Sequence, residues 1–474
     1  MKAYLNKCLI IICLIAVCIL CGCMNKTNKA DESVSEEPID TLAELAKHID
    51  EYDDIGYFNC GLASAKKNNK YGLINKLGEI VVECQYDEIE RVGEGLLCLK
   101  QNDKYSLIDK TGNFIVCNKD YHIGEFEHGY ARISYNRKYG LIDMSGNEIV
   151  EPKYYSIDSY NEGLFLVGII HNGNENRGIL SGADAYGWID TNGEEVIPPR
   201  FRHAYPFSEG YARVQNENYK YGYIDKNGNL VIDYKYEDAG DFHEGYAMVR
   251  ESYNRGLIID KSGRENHLSF DIDSWQGYFS CGLAWIDAYT IDRNDSQYGY
   301  EDIRNGHKCG YIDRQGNVII PFVYSQAAAF SEGFAAVRKG FKRGSDNAGY
   351  IDRQGRQITS FDYLGCEPFK SGMAIVARGS LTSEGRTTYG YIDTSGTEVI
   401  STLDYEKVGF IHENMVCVKK NGKYGYIDKS GAEVIPFIYE DAHGFCDGLA
   451  QVKLNGKVGF IDKQGNSTFD KIEE

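Results

Sequence analysis

Tryptophan and proline are scarce in this 474-residue chain, three and eight respectively, and positive charge is outweighed, with 51 Lys and Arg against 70 Asp and Glu. A formal net charge of −19 repels phosphates instead of neutralising them, which argues against nucleic acid or a bare anionic lipid surface as partner. The marks of the common catalytic centres are missing too. There is no HExxH or Cys/His spacing suited to zinc, no GxSxG elbow and no GxxxxGKS/T loop, and the ten histidines are scattered. Of the 14 cysteines, five precede residue 24 and nine are spread irregularly through the body without a CxxC pair among them. An odd count at such spacing is not a disulfide framework. Cys98, Cys309 and Cys417 stand where a repeating pattern wants apolar or small residues, and the body cysteines are expected as buried small hydrophobes.

What is present begins with a leader. Lys2 and Lys7 precede the apolar run "LIIICLIAVCIL", which closes on "LCGC" at Leu20 to Cys23. The run is short for a membrane span of about 20 residues, and Gly22 sits just before a cysteine, so residues 1–22 read as an export signal. The pattern resembles the lipobox of bacterial lipoproteins. That resemblance implies cleavage before Cys23, lipidation of its thiol, and a chain held on the extracytoplasmic side of a bacterial membrane by acyl chains such as palmitate. Residues 23–40 are polar and acidic, a flexible tether. In "TLAELAKHID" the residues Leu42, Leu45 and Ile49 share one face of a short helical cap over 41–55, which should pack on the end of the body.

From residue 56 onward the chain repeats itself. An aromatic–Gly–apolar–Ile–Asp–x–x–Gly segment occurs eleven times, for example "YGWIDTNG" from Tyr186, "YGYIDKNG" from Tyr221, "YGYIDKSG" from Tyr424 and "VGFIDKQG" from Val458. Before it lies a piece such as "SEGYARV" (Ser208 to Val214), and after it one such as "EVIPFIY" (from Glu433). Alternation makes each piece a strand: Leu449, Gln451 and Lys453 share one face, Ala450, Val452 and Leu454 the other. Asn455-Gly456 marks a two-residue hairpin, and Asp462 with Gly465 marks a second turn. A unit of three short strands follows. The glycine inside the middle strand, such as Gly425, needs a flat ring or a neighbouring backbone against it. With 37 tyrosines in the chain, stacking between successive units should supply the core.

These residues resemble the WG-repeat family of bacterial proteins, with Tyr-Gly in place of the signature Trp-Gly. The resemblance implies an all-β repeat module and specifies no one activity. The fold class is therefore all-β, a tandem array of about eleven three-stranded units over 56–474. Because propellers usually hold four to eight blades of about 40 to 45 residues, an open curved or superhelical stack is expected, with one or two propeller-like rings as the alternative.

The recurring residues argue for architecture. Glu94, Glu162, Glu209, Glu244, Glu332 and Glu413 share one repeat position, whereas acid–base catalysis needs one or two carboxylates in distinct environments. The Asp of "DKNGN" from Asp225 offers too few oxygens for calcium, and no cofactor, metal or catalytic residue is assigned. Function is sought where the units differ. Four units carry extra residues between their first and second strands: 171–185, 287–308, 339–348 and 378–388. Insertions on one edge of a repeat array often mark its binding face, and the longest holds Tyr289, Arg293, Tyr298 and Arg304, a mix suited to a protein or a glycan. The expected function is a lipid-anchored, non-catalytic binding or scaffold module in the cell envelope; the alternative is an envelope hydrolase or glycan-processing enzyme with its site on the inserted edge.

Overall fold

The computed structural model describes residues 40–170, 183–252, 255–270, 272–274, 277–289, 307–339, 347–379, 387–401 and 404–470. Each repeat forms one antiparallel sheet, here called a blade, and eleven blades follow one another along the chain. In order they span Asp54–Tyr86, Glu88–Lys119, His122–Tyr154, Ser156–Phe201, His203–Tyr236, Asp238–His267, Ile272–Tyr324, Gln326–Asp352, Gly365–Ile400, Lys407–Tyr439 and Asp441–Asp462.

Blade 10 shows why the sequence folds this way. Its strands A (Lys407–His412), B (Met415–Lys420), C (Lys423–Asp428) and D (Glu433–Tyr439) pair in simple order. Strands B and C turn on Asn421-Gly422, both at positive φ (51° and 80°), which these residues tolerate. Strands C and D turn on Asp428, whose Oδ1 accepts the N–H groups of Ser430 (2.8 Å) and Ala432 (3.0 Å). Gly425 has the neighbouring backbone it was expected to need. A Cβ there would lie 2.8 Å from the Ile435 carbonyl oxygen of strand D and 2.8 Å from a Phe437 ring carbon, at a register shift between Tyr424 and Tyr426. The contact belongs to the blade's own last strand, not to a tyrosine of the next unit.

The expected three-stranded unit is corrected to four. The additional strand A is as short as Asp441–Ala442 and begins one residue after the preceding strand D ends at Tyr439, so it reads in sequence as the tail of that strand. Nine sheets have four strands. In blades 8 and 11 the last strand is reduced to bridges, Ala348 with Tyr363 and Ile351 with Gln357 in one, Ile461 with Ser467 in the other.

No single core exists. The buried apolar residues fall into layers, each shared by two adjacent blades. In the layer between blades 10 and 11, Tyr426, Ile435 and Tyr439 meet Ala442, Phe445, Ala450 and Val452. The third residue of the "YGY" segment organises these layers. Tyr426 packs on Phe445 with centroids 4.8 Å apart, and its hydroxyl donates to the His443 carbonyl at 2.6 Å. Tyr223 with Phe242, Tyr311 with Phe330 and Tyr350 with Phe369 repeat the arrangement at 4.9, 4.9 and 5.0 Å. Each such pair adds about 0.5–1.5 kcal/mol beyond the area it buries.

The same contacts join the last blade to the first. Phe460 of blade 11 packs on Phe58 at 5.0 Å. Gln451 donates to the Ile55 carbonyl, as Arg213 of blade 5 does to Ala239 of blade 6. The tandem array is therefore one closed propeller-like ring, the arrangement held as the alternative to an open stack. Successive blades overlap like shingles, strand C of one lying against strand A of the next, so the turn per blade is small enough for eleven to complete the circle.

Helix α1 (Thr41–His48) completes the seam. At the junction before it, Ile435 and Tyr439 of strand D cover Ala450 and Val452 of the following strand B. Blade 11 has no such strand D, and Leu42 and Leu45 of α1 cover the equivalent Ala63 and Ala65 of blade 1 instead. The α-helix ends at His48 and gives way to the turn Ile49–Glu51 and then to the first strand, at Asp54–Ile55. All nine body cysteines are free thiols. Cys98 and Cys309 are buried as expected, but Cys60 and Cys117 are exposed, because they sit in a turn and on the outer face of strand D. Because Leu45 is fully buried, Leu45→Ala is expected to destabilise the ring by about 2–5 kcal/mol, read as a lowered urea midpoint. A midpoint like that of the unaltered chain would show that α1 does not hold the seam.

Candidate binding surface

Antiparallel order gives the ring two unlike rims. One carries every A–B and C–D turn, the other every B–C hairpin and every D–A link.

On the first rim the recurring glutamates tie blades together. Glu94, Glu162, Glu209, Glu244, Glu332 and Glu413 all sit at positive φ, between 48° and 53°. Each carboxylate accepts a backbone N–H from the corresponding turn of the next blade. Glu94 takes that of Gly129 (3.0 Å), Glu162 that of Gly210 (3.0 Å), Glu209 that of Gly245 (2.8 Å) and Glu244 that of Gly282 (2.9 Å). Glu332 takes those of Ser371 (2.7 Å) and Gly372 (2.8 Å), and Glu413 that of Gly448 (3.1 Å). Asp447 closes the ring identically on Gly61 at 2.6 Å. A cation from the next blade's C–D turn often completes the latch: Lys226 on Glu162 (3.1 Å), Lys261 on Glu209 (3.2 Å), Arg314 on Glu244 (2.9 Å) and Lys463 on Glu413 (2.7 Å). Burial raises the pKa of Glu413, but the Lys463 ammonium and the Gly448 N–H outweigh it and hold the carboxyl below its ordinary value; Glu209 behaves alike with Gly245 and Lys261.

The aspartates of the C–D turns are likewise committed. In Asp225 one oxygen accepts the N–H groups of Asn227 and Asn229, the other the Asn229 amide, and this last bond comes first in lowering its pKa. Among the described residues no group of three or more His, Cys, Asp or Glu could hold a metal ion.

The second rim carries the insertions. Each leaves from paired strand ends: Ile169 with Ala185, Tyr289 with His307, Lys339 with Asn347, and Arg378 with Thr388. They belong to blades 4, 7, 8 and 9, so three are consecutive along one arc. Of the candidate binding residues, the backbone of Tyr289 ends a strand; Arg293, Tyr298 and Arg304 lie outside the described residues. Cys23, the signal and the tether lie outside them as well. No helix among the described residues is long and apolar enough to cross a membrane.

A feature not foreseen lies between blades 9 and 10. A cleft of about 1060 Å3 opens there, walled by Met373, Ile375, Tyr389, Tyr391 and Phe410, with Lys429 at its margin. Phe410 is 70% exposed. Comparison of the repeats position by position accounts for the opening. Ser371 replaces the latch glutamate, and Ile411 replaces the phenylalanine that meets the C-strand tyrosine elsewhere, while Ile375 is apolar like the aligned Leu166 and Met248. Two ties are missing at one junction.

The WG containing repeat family matches nine segments of the chain: 49–71, 71–105, 139–169, 186–220, 221–253, 310–342, 349–380, 389–424 and 424–457. No curated protein matches it. Similar solved structures include the computationally designed Ika8 protein, at 11% identity and a TM-score of 0.32 over 65% of this chain and 95% of that one. A eukaryotic initiation factor gives 11% and 0.34 over 73% and 86%, and BamB from Moraxella catarrhalis gives 8% and 0.28 over 66% and 92%. Likenesses of this degree carry no argument about function.

The Glu413 latch makes its junction acid-sensitive. Because the Glu413 carboxyl is lowered when folded, its contribution is fully present above the ordinary value of 4.5 and is lost as pH falls through the lower folded value. Glu413→Gln is therefore expected to lower the melting temperature at pH 7 and to lose less than the unaltered chain between pH 5 and pH 3. Parallel melting curves across that window would contradict the latch.

Proposed function

As the chain belongs to the WG containing repeat family, we propose that its ring is a non-catalytic binding or scaffold module, held on the extracytoplasmic face of a bacterial membrane by a lipid on Cys23. The observation that carries the reading is the division of labour between the rims. The carboxylates that recur from blade to blade are spent on latches and turns, while the inserted segments all leave from the opposite rim, three of them on consecutive blades. A rigid ring with variable hairpins on one side suits recognition of a protein or a glycan in the envelope, because loops on a firm scaffold can vary without disturbing the packing. The acidic balance disfavours nucleic acid.

Replacing residues 290–306 by a two-residue turn is expected to leave the melting temperature within a few degrees and to remove at least one envelope component from those captured with the intact chain. An unchanged set of captured components would sink the assignment of this rim. For the anchor, the intact chain is expected to incorporate a fatty-acid label that Cys23→Ser does not; labelling of both, or of neither, would refute it.

A further inference from the structure

The cleft between blades 9 and 10 is a place where the ring has left out its own ligand. At seven junctions a carboxylate from one blade accepts a turn N–H of the next, and at four of them a turn cation of the next blade pairs with it, as Lys463 does with Glu413. At this junction both recipients remain, the backbone of Asn414 at φ 69° and the side chain of Lys429, but the donor blade presents Ser371. Among the described residues no carboxylate pairs with Lys429.

Loss of a latch alone does not open a cleft of this size; the one between blades 1 and 2 is about 230 Å3. Cys60 also stands in the latch position, between blades 1 and 2, yet there Arg91 fills the junction: it donates to the carbonyls of Asn59 (3.0 Å) and Leu62 (2.9 Å) and stacks on Tyr57. The position of Arg91 in its blade is that of Phe410 in blade 10. Phe410 makes no such plug and stands 70% exposed beside the half-exposed Tyr389. A largely apolar trough thus runs past Ser371 to the unpaired Lys429 ammonium, with Glu367, Lys370 and His412 also on its wall, and the turn N–H of Asn414 lies two residues beyond His412 in the chain, in a protein whose net charge is −19. Exposed single hydrophobics are common on this chain, but Phe410 and Tyr389 line one cleft together with Met373, Ile375 and Tyr391, and a contiguous apolar surface of this kind marks a recognition site.

We propose that this cleft binds the C-terminal end of a peptide whose last residue is large and apolar. Its carboxylate takes the place of the missing glutamate, between the Asn414 N–H and the Lys429 ammonium, and its side chain lies against Met373, Ile375, Tyr391 and Phe410. A charge-assisted pair of donors fixes the terminus, and the open trough accommodates an extended chain. This goes beyond the binding role assigned to the hairpin rim and does not depend on it, since none of these residues belongs to an insertion.

The test uses the full chain and a fluorescein-labelled peptide ending in Gly-Gly-Phe with a free carboxylate, followed by fluorescence anisotropy. Saturable binding is expected, with the C-terminal amide and the Lys429→Gln variant each weaker by about tenfold. Ser371→Glu restores the internal latch, so it is expected to abolish peptide binding while raising the melting temperature. Phe410→Ser, at an exposed site, should weaken binding without changing the melting temperature. Equal binding of acid and amide, undiminished binding by the Ser371→Glu variant, or no saturable binding at millimolar peptide would overturn the proposal. Octanoate displacing the peptide at equal concentration would overturn the assignment to a peptide terminus. These measurements use a defined peptide, so their failure leaves the hairpin-rim reading standing, and failure of that reading leaves this one.

Discussion

Everything in this molecule depends on the layer between neighbouring blades. A sheet of four short strands cannot bury both faces by itself, and here the faces are covered only by the sheets before and after it. The aromatic in the middle of strand C anchors the layer because its ring is large and its hydroxyl has a fixed carbonyl to reach, 17 residues on in Tyr223, Tyr311 and Tyr426. Where leucine replaces it, as in Leu73 and Leu107, the layer is filled without that bond. Trp188 fills it too, at the cost of a buried indole N–H without a partner among the described residues. Burial accordingly pushes the pKa of Tyr223 far above its ordinary value, which keeps these hydroxyls as donors at every physiological pH.

Much of this was legible in the residues. Strands B, C and D, the Asp turns, the Asn-Gly hairpins and the packing face of Leu42 and Leu45 follow from alternation and turn chemistry, which are local. Strand A was not legible, since two residues such as Asp441 and Ala442 show no alternation and merge with the strand before them. Closure was not legible either. It depends on the angle between successive sheets, which no periodicity encodes, and on whether Phe460 meets Phe58 across the whole chain.

The candidate sites divide in the same way. The glutamates announce themselves by recurring at one repeat position, but the partner of each lies one repeat away, in a turn N–H that leaves no mark on the sequence. The insertions announce themselves by length. The cleft could have been found, because Ser371 and Ile411 depart from the repeat within one unit and the start of the next. Each departure is small alone, and only the alignment of blade 9 on blade 10 shows that both remove ties from the same place.

The seam has a consequence for the order of events in the life of the chain. Gly61 and its acceptor Asp447 are 386 residues apart, and the layer that α1 shares with Ala63 and Ala65 is completed by Leu449 and Phe460, from the far end of the repeat array. A growing chain therefore carries an uncovered half-layer at its beginning until its final blade arrives, a long-range contact that forms slowly and late. A chain cut short anywhere keeps two unmatched ends. The first hydrophobic face of the array is thus paired only with its last blade, and the length of the array and the closure of the ring are one and the same constraint.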